Sequence, residues 1–254
     1  MPVSTSIAIW LGILQGATEF LPVSSSGHLV LAQAWLGMAA PGAALDVALH
    51  VGTLAAIAVM LRADLAQLVR GIAGRDASAR RLLGLLAVGS LPAALLGGIV
   101  GATLAAWLFR PAVAAVGFLA TTGLLASTPP PGSGMRELDQ VRVADVVVVG
   151  LAQAAALVPG LSRSGSTMVA ARWCGLSPDA ASRLSFLLAL PVTAGAAMLE
   201  VPQLPALPWA GMAAALGTGV VALPLARAAL ASIHHWRALS VYTSLMAVLC
   251  LWAS

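Results

Sequence analysis

The chain has no lysine; all 13 of its basic residues are arginine. Charge of either sign is scarce, at 9% of residues against about a quarter in a soluble domain. With 60% hydrophobic residues and a mean hydropathy of +0.96, this excludes an ordinary soluble domain and describes an integral membrane protein. Cysteine is nearly absent too. Cys174 and Cys250 lie in apolar runs and fit no disulfide or metal-site spacing, so they read as small packing residues. No basic residue precedes the first apolar run, so a cleaved signal peptide is not expected. The net charge of +4 sits on arginines scattered between apolar runs. These are topology determinants rather than a nucleic-acid surface, and no nucleic-acid partner is expected.

What the chain does have is apolar length. Several windows exceed the roughly 18 residues that mark a membrane span, and nothing shows sustained period-two alternation, so the whole chain reads as helical. Spans fall at about 44–62, 82–108 and 111–126, then at about 179–199, 209–230 and 236–253. Each trio follows an apolar segment interrupted by Pro, Ser and Gly, at 5–37 and at 143–175. A Pro/Gly-rich connector separates residues 1–126, a first repeat, from residues 143–254, a second. Arg62, Arg70, Arg75, Arg80 and Arg81 place the 62–81 loop in the cytoplasm. Counting spans onward puts the 127–142 connector (Arg136, Arg142) and the 231–237 turn (His234, His235, Arg237) there as well. The 200–208 loop, with no positive charge, falls outside.

The two broken segments echo each other. A shift of 138 residues superposes Gly12 on Gly150, Gln15 on Gln153, Ser24 on Ser162, Ser26 on Ser164 and Gly27 on Gly165, while the prolines miss by one position. Three full spans per half is an odd number, so if each broken segment dips in and returns, the halves are inverted. The expected architecture is an all-α integral membrane protein with an inverted-topology repeat, each half a re-entrant helical hairpin plus three transmembrane helices. Such interrupted segments at matching places point to a binding site near the bilayer midplane. The plainer alternative is a pair of ordinary helical hairpins whose serines serve packing.

Two charges lie deep in this frame: Glu19 and Arg163. An ionisable residue inside a membrane costs about 2.5–3.5 kcal/mol on insertion scales and marks function by default. Gln15 and Glu19 are four apart and share a helix face. Pro22 ends that helix, and Ser24-Ser25-Ser26-Gly27-His28 opens the next; Pro159-Gly160 and Ser162-Arg163-Ser164-Gly165-Ser166-Thr167 do the same in the second copy. Helix N-termini attract anions, and arginine offers a planar fork suited to phosphate. A pure anion site has no use for Glu19, which favours hydrolysis over binding alone. Each residue also has a bland reading: Glu19 as a protonated packing residue, Arg163 snorkelling, the serines as helix caps, and His28 or His50 as structural histidines.

The segments Gln15-Gly-Ala-Thr-Glu19-Phe-Leu-Pro-Val-Ser-Ser-Ser-Gly-His28 and Pro159-Gly-Leu-Ser-Arg-Ser-Gly-Ser-Thr167 resemble the two signatures of the bacitracin-resistance family of undecaprenyl-diphosphate phosphatases. The similarity extends to Asp46-Val-Ala-Leu-His50-Val-Gly-Thr53 and Ser185-Phe-Leu-Leu-Ala-Leu-Pro191. The resemblance implies a multi-pass enzyme of the bacterial inner membrane. It would remove the terminal phosphate of undecaprenyl diphosphate to return the lipid carrier to cell-wall synthesis, at a site open toward the periplasm and supported by a divalent cation, Mg2+ or Ca2+. It further implies catalytic roles for Glu19, Ser25, His28 and Arg163, and substrate contacts from Gln15, Ser24, Ser26, Gly27, Ser162, Ser164, Gly165, Ser166 and Thr167. Because Gln15 stands where a second acidic residue can occur in the family, Glu19 is the one carboxylate in either signature and the likeliest single metal ligand. Substrate phosphates and water would supply the rest.

Three nucleophiles fit: His28 with Glu19 as base, Ser25 with His28 as base, or water. The first-turn spacing of Ser25 and His28 favours the second. The acid-phosphatase-like PAP2 family shares only Ser26-Gly27-His28; its first motif needs a lysine and its third a histidine where Val169 stands. A transporter or flippase for a lipid phosphate is the alternative from another class, since inverted repeats are a transporter architecture. Small-residue helix faces suit a homodimer.

Overall fold

The computed structural model describes residues 3–38, 43–99, 104, 107–130, 132–204, 206–230 and 232–254. Eleven α-helices carry the fold of these residues: α1 (Thr5–Thr18), α2 (Ser25–Trp35), α3 (Ala43–Met60), α4 (Arg62–Ile72), α5 (Ala77–Ile99), α6 (Pro111–Ala126), α7 (Val143–Ala155), α8 (Arg163–Trp173), α9 (Pro178–Glu200), α10 (Trp209–Leu230) and α11 (Ile233–Trp252).

The two breaks have one cause. A proline ring clashes with the carbonyl four residues back in a helix. Accordingly α1 ends at Thr18, four before Pro22, and α7 ends at Ala155, four before Pro159. The next helix restarts on a serine cap each time. Ser24 Oγ accepts from the Gly27 amide at 3.3 Å, and Ser162 Oγ accepts from the Gly165 amide at 3.0 Å.

Backbone contact between small residues fixes how these helices pack. α1 lies against α10 and α7 against α5. A Cβ on Gly12 would sit 2.1 Å from the Gly211 carbonyl oxygen, and one on Gly150 would sit 2.3 Å from that of Gly89. No side chain fits at either crossing, the usual manner of helix contact in lipid. α3 packs on α9 and α10, α9 also on α5, and α6 on α11.

The interior and exterior are distributed as a bilayer demands. Trp10 is 70% exposed and Leu95, Val116, Trp209 and Leu225 are similarly bare, while Gln15, Thr53, Thr167 and Ser185 are buried. A large exposed apolar surface would be an aggregation hazard in water, but suits contact with lipid tails. By length and composition α5, α9 and α10 can cross a membrane, and a fourth crossing is available if α3 and α4, bent by 83° at their junction, count as one. Six spans were expected, and among the described residues these are the helices that meet that length and composition. At 16 residues α6 reaches only about 24 Å, short of the roughly 30 Å hydrocarbon core, and α11 opens on His234, His235 and Arg237. The protein is a multi-pass membrane protein all the same.

Residues 62–81, expected as a loop, contain a helix. In α4, Leu65 and Leu68 pack toward the core beside α5, and Asp64 pairs with Arg183 of α9. The apolar spacing Leu65, Leu68, Val69, Ile72 is helical; the arginines around it masked that signal. The connector is tied down as well: Arg136 makes a two-pronged contact with Asp145, at 2.8 and 3.0 Å.

Candidate active site

The two breaks meet in space. Ser164 Oγ, from the second, donates to the Leu21 carbonyl of the first at 2.9 Å. Gly27 packs so closely on the second break that a Cβ there would lie 2.8 Å from the Gly160 Cα. Thr121 of α6 holds the second turn from behind, donating to the Gly160 carbonyl at 2.8 Å and accepting from the Ser162 amide at 2.9 Å.

Glu19 lies at this junction, buried, directly after the last turn of α1. Its Oε2 accepts from Gln15 Nε2 at 2.9 Å and from Ser25 Oγ at 2.6 Å, and lies 3.3 Å from His50 Nε2. Its Oε1 pairs with the Arg163 guanidinium, which comes from the other break. The carboxylate is thus surrounded by donors from α1, α2, α3 and α8, the condition under which a membrane interior tolerates a charge. His50 Nδ1 faces the Asp46 carbonyl at 2.7 Å. Both of its ring nitrogens therefore point at oxygens, and the arrangement is fully bonded when both carry hydrogens.

These groups open onto a cavity of about 780 Å³, mouth included. Glu19, Ser24, Ser25, Ser26, His50, Ser162, Arg163 and Ser164 form its polar wall; Val47, Leu157, Ala189, Val192 and Ala196 form the apolar one. Ser24 and Ser26 hydroxyls lie 3.3 Å apart, as do those of Ser162 and Ser164. The first amides of α2 and of α8 have no intrahelical acceptor, so two helix N-termini face one space.

Not every residue expected at the site lines it. Gln15 is buried behind Glu19. The Gly27 and Gly165 amides are used by the serine caps. Thr167 bonds Ser185 Oγ at 2.6 Å, beneath Arg163, and Ser166 is buried with its hydroxyl unbonded. His28 departs most from expectation. Its Nδ1 is 2.7 Å from the Ser24 carbonyl, its Nε2 is 2.7 Å from the Tyr242 hydroxyl, and its ring stacks on Tyr242 with a centroid distance of 5.7 Å. The anticipated Ser25–His28 pair is not formed; Ser25 is bonded to Glu19 instead. The left-handed backbone of Ser24 (φ 63°) turns the start of α2 so that Ser25 and His28 serve different neighbours. Local spacing alone carried no sign of this.

Two residues at the cavity had no assigned role in the sequence. His50 belongs to the Asp46–Thr53 stretch, noted above without a function, and Gln153 is the repeat counterpart of Gln15. The signal for each is a polar side chain, an imidazole and an amide, inside a membrane span. Among the described residues no group of three or more His, Cys, Asp or Glu is placed to hold a metal ion. Glu19, the one carboxylate at the cavity, has both oxygens bonded to Arg163, His50, Ser25 and Gln15. The residues present do not build a cation cage.

A family model described as bacitracin resistance protein BacA matches residues 8–249. An undecaprenyl-diphosphatase of Geobacter metallireducens is 44% identical over 201 residues, covering 76% of this chain and 74% of that protein. One from Idiomarina loihiensis is 41% identical over 204 residues, covering 76% and 75%. One from Rubrobacter xylanophilus is 43% identical over 212 residues, covering 77% and 75%.

Proposed function

The chain belongs to the bacitracin resistance (BacA) family, and from that premise we infer how the cavity serves as its phosphatase site. The enzyme hydrolyses undecaprenyl diphosphate to undecaprenyl phosphate and inorganic phosphate, which returns the lipid to cell-wall synthesis. One observation carries the mechanism: Glu19 bonds the Ser25 hydroxyl on one side and the Arg163 guanidinium from the other break on the opposite side.

Ser25 Oγ is the nucleophile and Glu19 its base. At 2.6 Å the hydroxyl already donates to Oε2, so proton transfer needs no rearrangement. Ser25 Oγ attacks the terminal phosphorus; the bond from that phosphorus to the bridging oxygen breaks, and undecaprenyl phosphate departs. Glu19 gives up the Ser25 proton to the departing lipid phosphate; water then attacks the phosphoserine, its proton passing to Glu19 and on to Ser25 Oγ as inorganic phosphate leaves. Arg163 exchanges its contact with Glu19 for the phosphoryl oxygens, and the helix N-termini of α2 and α8 stabilise the charge on them. His50 keeps Glu19 oriented while Arg163 is engaged. His28, packed on Tyr242, supports the α2 turn. A divalent cation would arrive with the substrate, its ligands being phosphate oxygens and water.

The fold is read as an inverted repeat. In support, exchange of the two halves turns the α1–α10 contact into α7–α5, turns α3–α10 into α9–α5, and leaves α3–α9 and α6–α11 in place. The cavity is read as opening to the periplasm of the inner membrane. Val47 and His50 lie in the first half of α3, and Val192, Thr193 and Ala196 in the second half of α9, the ends away from the arginine-rich 62–81 segment. On this topology every arginine except Arg110 and Arg163 falls on the cytoplasmic side.

The test is phosphate release from undecaprenyl diphosphate by purified protein in detergent, with Mg2+, with Ca2+ and with chelator. Release is expected, together with a phosphoserine at position 25 trapped by acid quench. Binding of the lipid without release under every condition would support the carrier instead.

A further inference from the structure

Gln153 has no part in the chemistry above, yet it is 2% exposed and lines the cavity. Among the described residues neither its Nε2 nor its Oε1 has a hydrogen-bond partner. Among the described residues no other side-chain amide or carboxylate has both polar atoms buried and unbonded.

The residue 138 positions earlier explains why. Gln15 holds the matching place on α1 and donates to Glu19, four residues on, at 2.9 Å. The residue four after Gln153 is Leu157. The second break has kept the amide and lost the carboxylate that would bind it. Buried polar groups in folded proteins are bonded almost without exception, to protein or to ordered water, and the cavity is the space beside this amide that can hold such a partner.

The setting of Gln153 indicates which part of a ligand it meets. Ser25, Glu19 and Arg163 take the terminal phosphate, where the bond is broken. Gln153 shares the end of α7 with Ala156 and Leu157, part of the apolar lining that an isoprenoid chain would follow. A lipid diphosphate with its terminal phosphate on Ser25 and its chain along that lining places the inner phosphate between the two. We propose that Gln153 donates its Nε2 hydrogens to the inner phosphate, the one that stays on the lipid; this rests on the phosphatase reading of the same cavity. When the bond between terminal phosphorus and bridging oxygen breaks, the electron pair goes to the leaving lipid phosphate, and a donor there eases its departure.

Gln153→Leu keeps the side-chain bulk and removes both polar atoms. Since the amide has no partner among the described residues, the variant should melt no lower than the wild type. Its kcat/KM for undecaprenyl diphosphate should fall about 10- to 100-fold, as for loss of one hydrogen bond to a charged group. Inhibition by undecaprenyl monophosphate should weaken by a similar factor, and inhibition by inorganic phosphate should not change. A second arm needs no turnover: undecaprenyl monophosphate should raise the melting temperature of the wild type by mass action and fail to do so for Gln153→Leu. Equal monophosphate inhibition and equal thermal shift in the two proteins would overturn the assignment. So would a variant that melts lower with its kinetics intact, which would make the amide structural. A wild type that binds the monophosphate through Gln153 yet releases no phosphate would sink the hydrolysis reading alone.

Discussion

In the first break α1 closes on Gln15 and Glu19, and the carboxylate is bonded from four sides; in the second, α7 closes on Gln153 and Leu157, and the amide has no partner among the described residues. The turns that follow are alike: a proline stops each helix, a serine caps the next, and a second serine hydroxyl lies 3.3 Å from the first. The caps differ in backbone, φ 63° at Ser24 against −66° at Ser162, and the two breaks carry different chemistry. The first break holds the base and the attacking hydroxyl, and the second holds the cation. Neither contains a complete site. A chemical step in a low-dielectric interior requires both charges, and placing them on separate elements lets each be neutral in sum only when the halves have packed together.

The comparison is broken most severely by removing its charges. Glu19→Gln should lower kcat about 10³-fold or more, since it removes the base that accepts the Ser25 proton. Arg163→Ala should do comparable damage, and Arg163→Lys should recover only part, because an ammonium restores charge without the planar fork. Steady-state phosphate release checks all three. Ser25→Ala should cost about 10²- to 10⁴-fold and abolish the acid-trapped phosphoserine. Unchanged turnover would point to direct attack by water.

Next in size is a test of the two histidines. His50→Asn should lower kcat/KM about 10- to 100-fold, because Glu19 loses an orienting donor. His28→Asn should cost less than about tenfold in kcat and mainly lower the melting temperature, and Tyr242→Phe should follow the same pattern, since both break the His28–Tyr242 bond. A kcat that collapses in His28→Asn with the melting temperature unchanged would restore the Ser25–His28 pair.

The smallest effects concern the crossings that bring the halves together. Gly12→Ala and Gly150→Ala each force a methyl into a facing carbonyl, and each should destabilise by about 1–3 kcal/mol. Similar losses in thermal denaturation would show that the two crossings carry similar weight. A marked loss at one and none at the other would show that the halves are not equivalent in packing.

Much of this was legible from the residues. Pro22 and Pro159 mark the helix ends by the geometry of the proline ring, and the serines at 24 and 162 mark the restarts. The four-residue spacing of Gln15 and Glu19 foretells their hydrogen bond, because helix neighbours at that spacing must meet. What local spacing could not supply was long-range. Glu19 and Arg163 are 144 positions apart, and the packing of the helices and the direct contact of the two breaks set the distance between them. His50 comes from α3, a span that shares the family resemblance without an assigned function, and its role depends on which way that helix is turned. His28 shows the reverse case: three residues after Ser25 places it nearby in sequence, but the ring follows the start of α2 to Tyr242, 214 residues away. Helix α4 was overlooked because arginine content outweighed a weak apolar period.

The most direct test of a single site made jointly by the two breaks is a double-mutant cycle on kcat/KM for undecaprenyl diphosphate, using Glu19→Gln, Arg163→Gln and the pair. Residues acting on one phosphoryl group, and bonded to each other beforehand, are strongly non-additive. The double variant is expected to be scarcely slower than the worse single variant. Losses that simply multiply would contradict a shared site and assign Glu19 and Arg163 to separate functions.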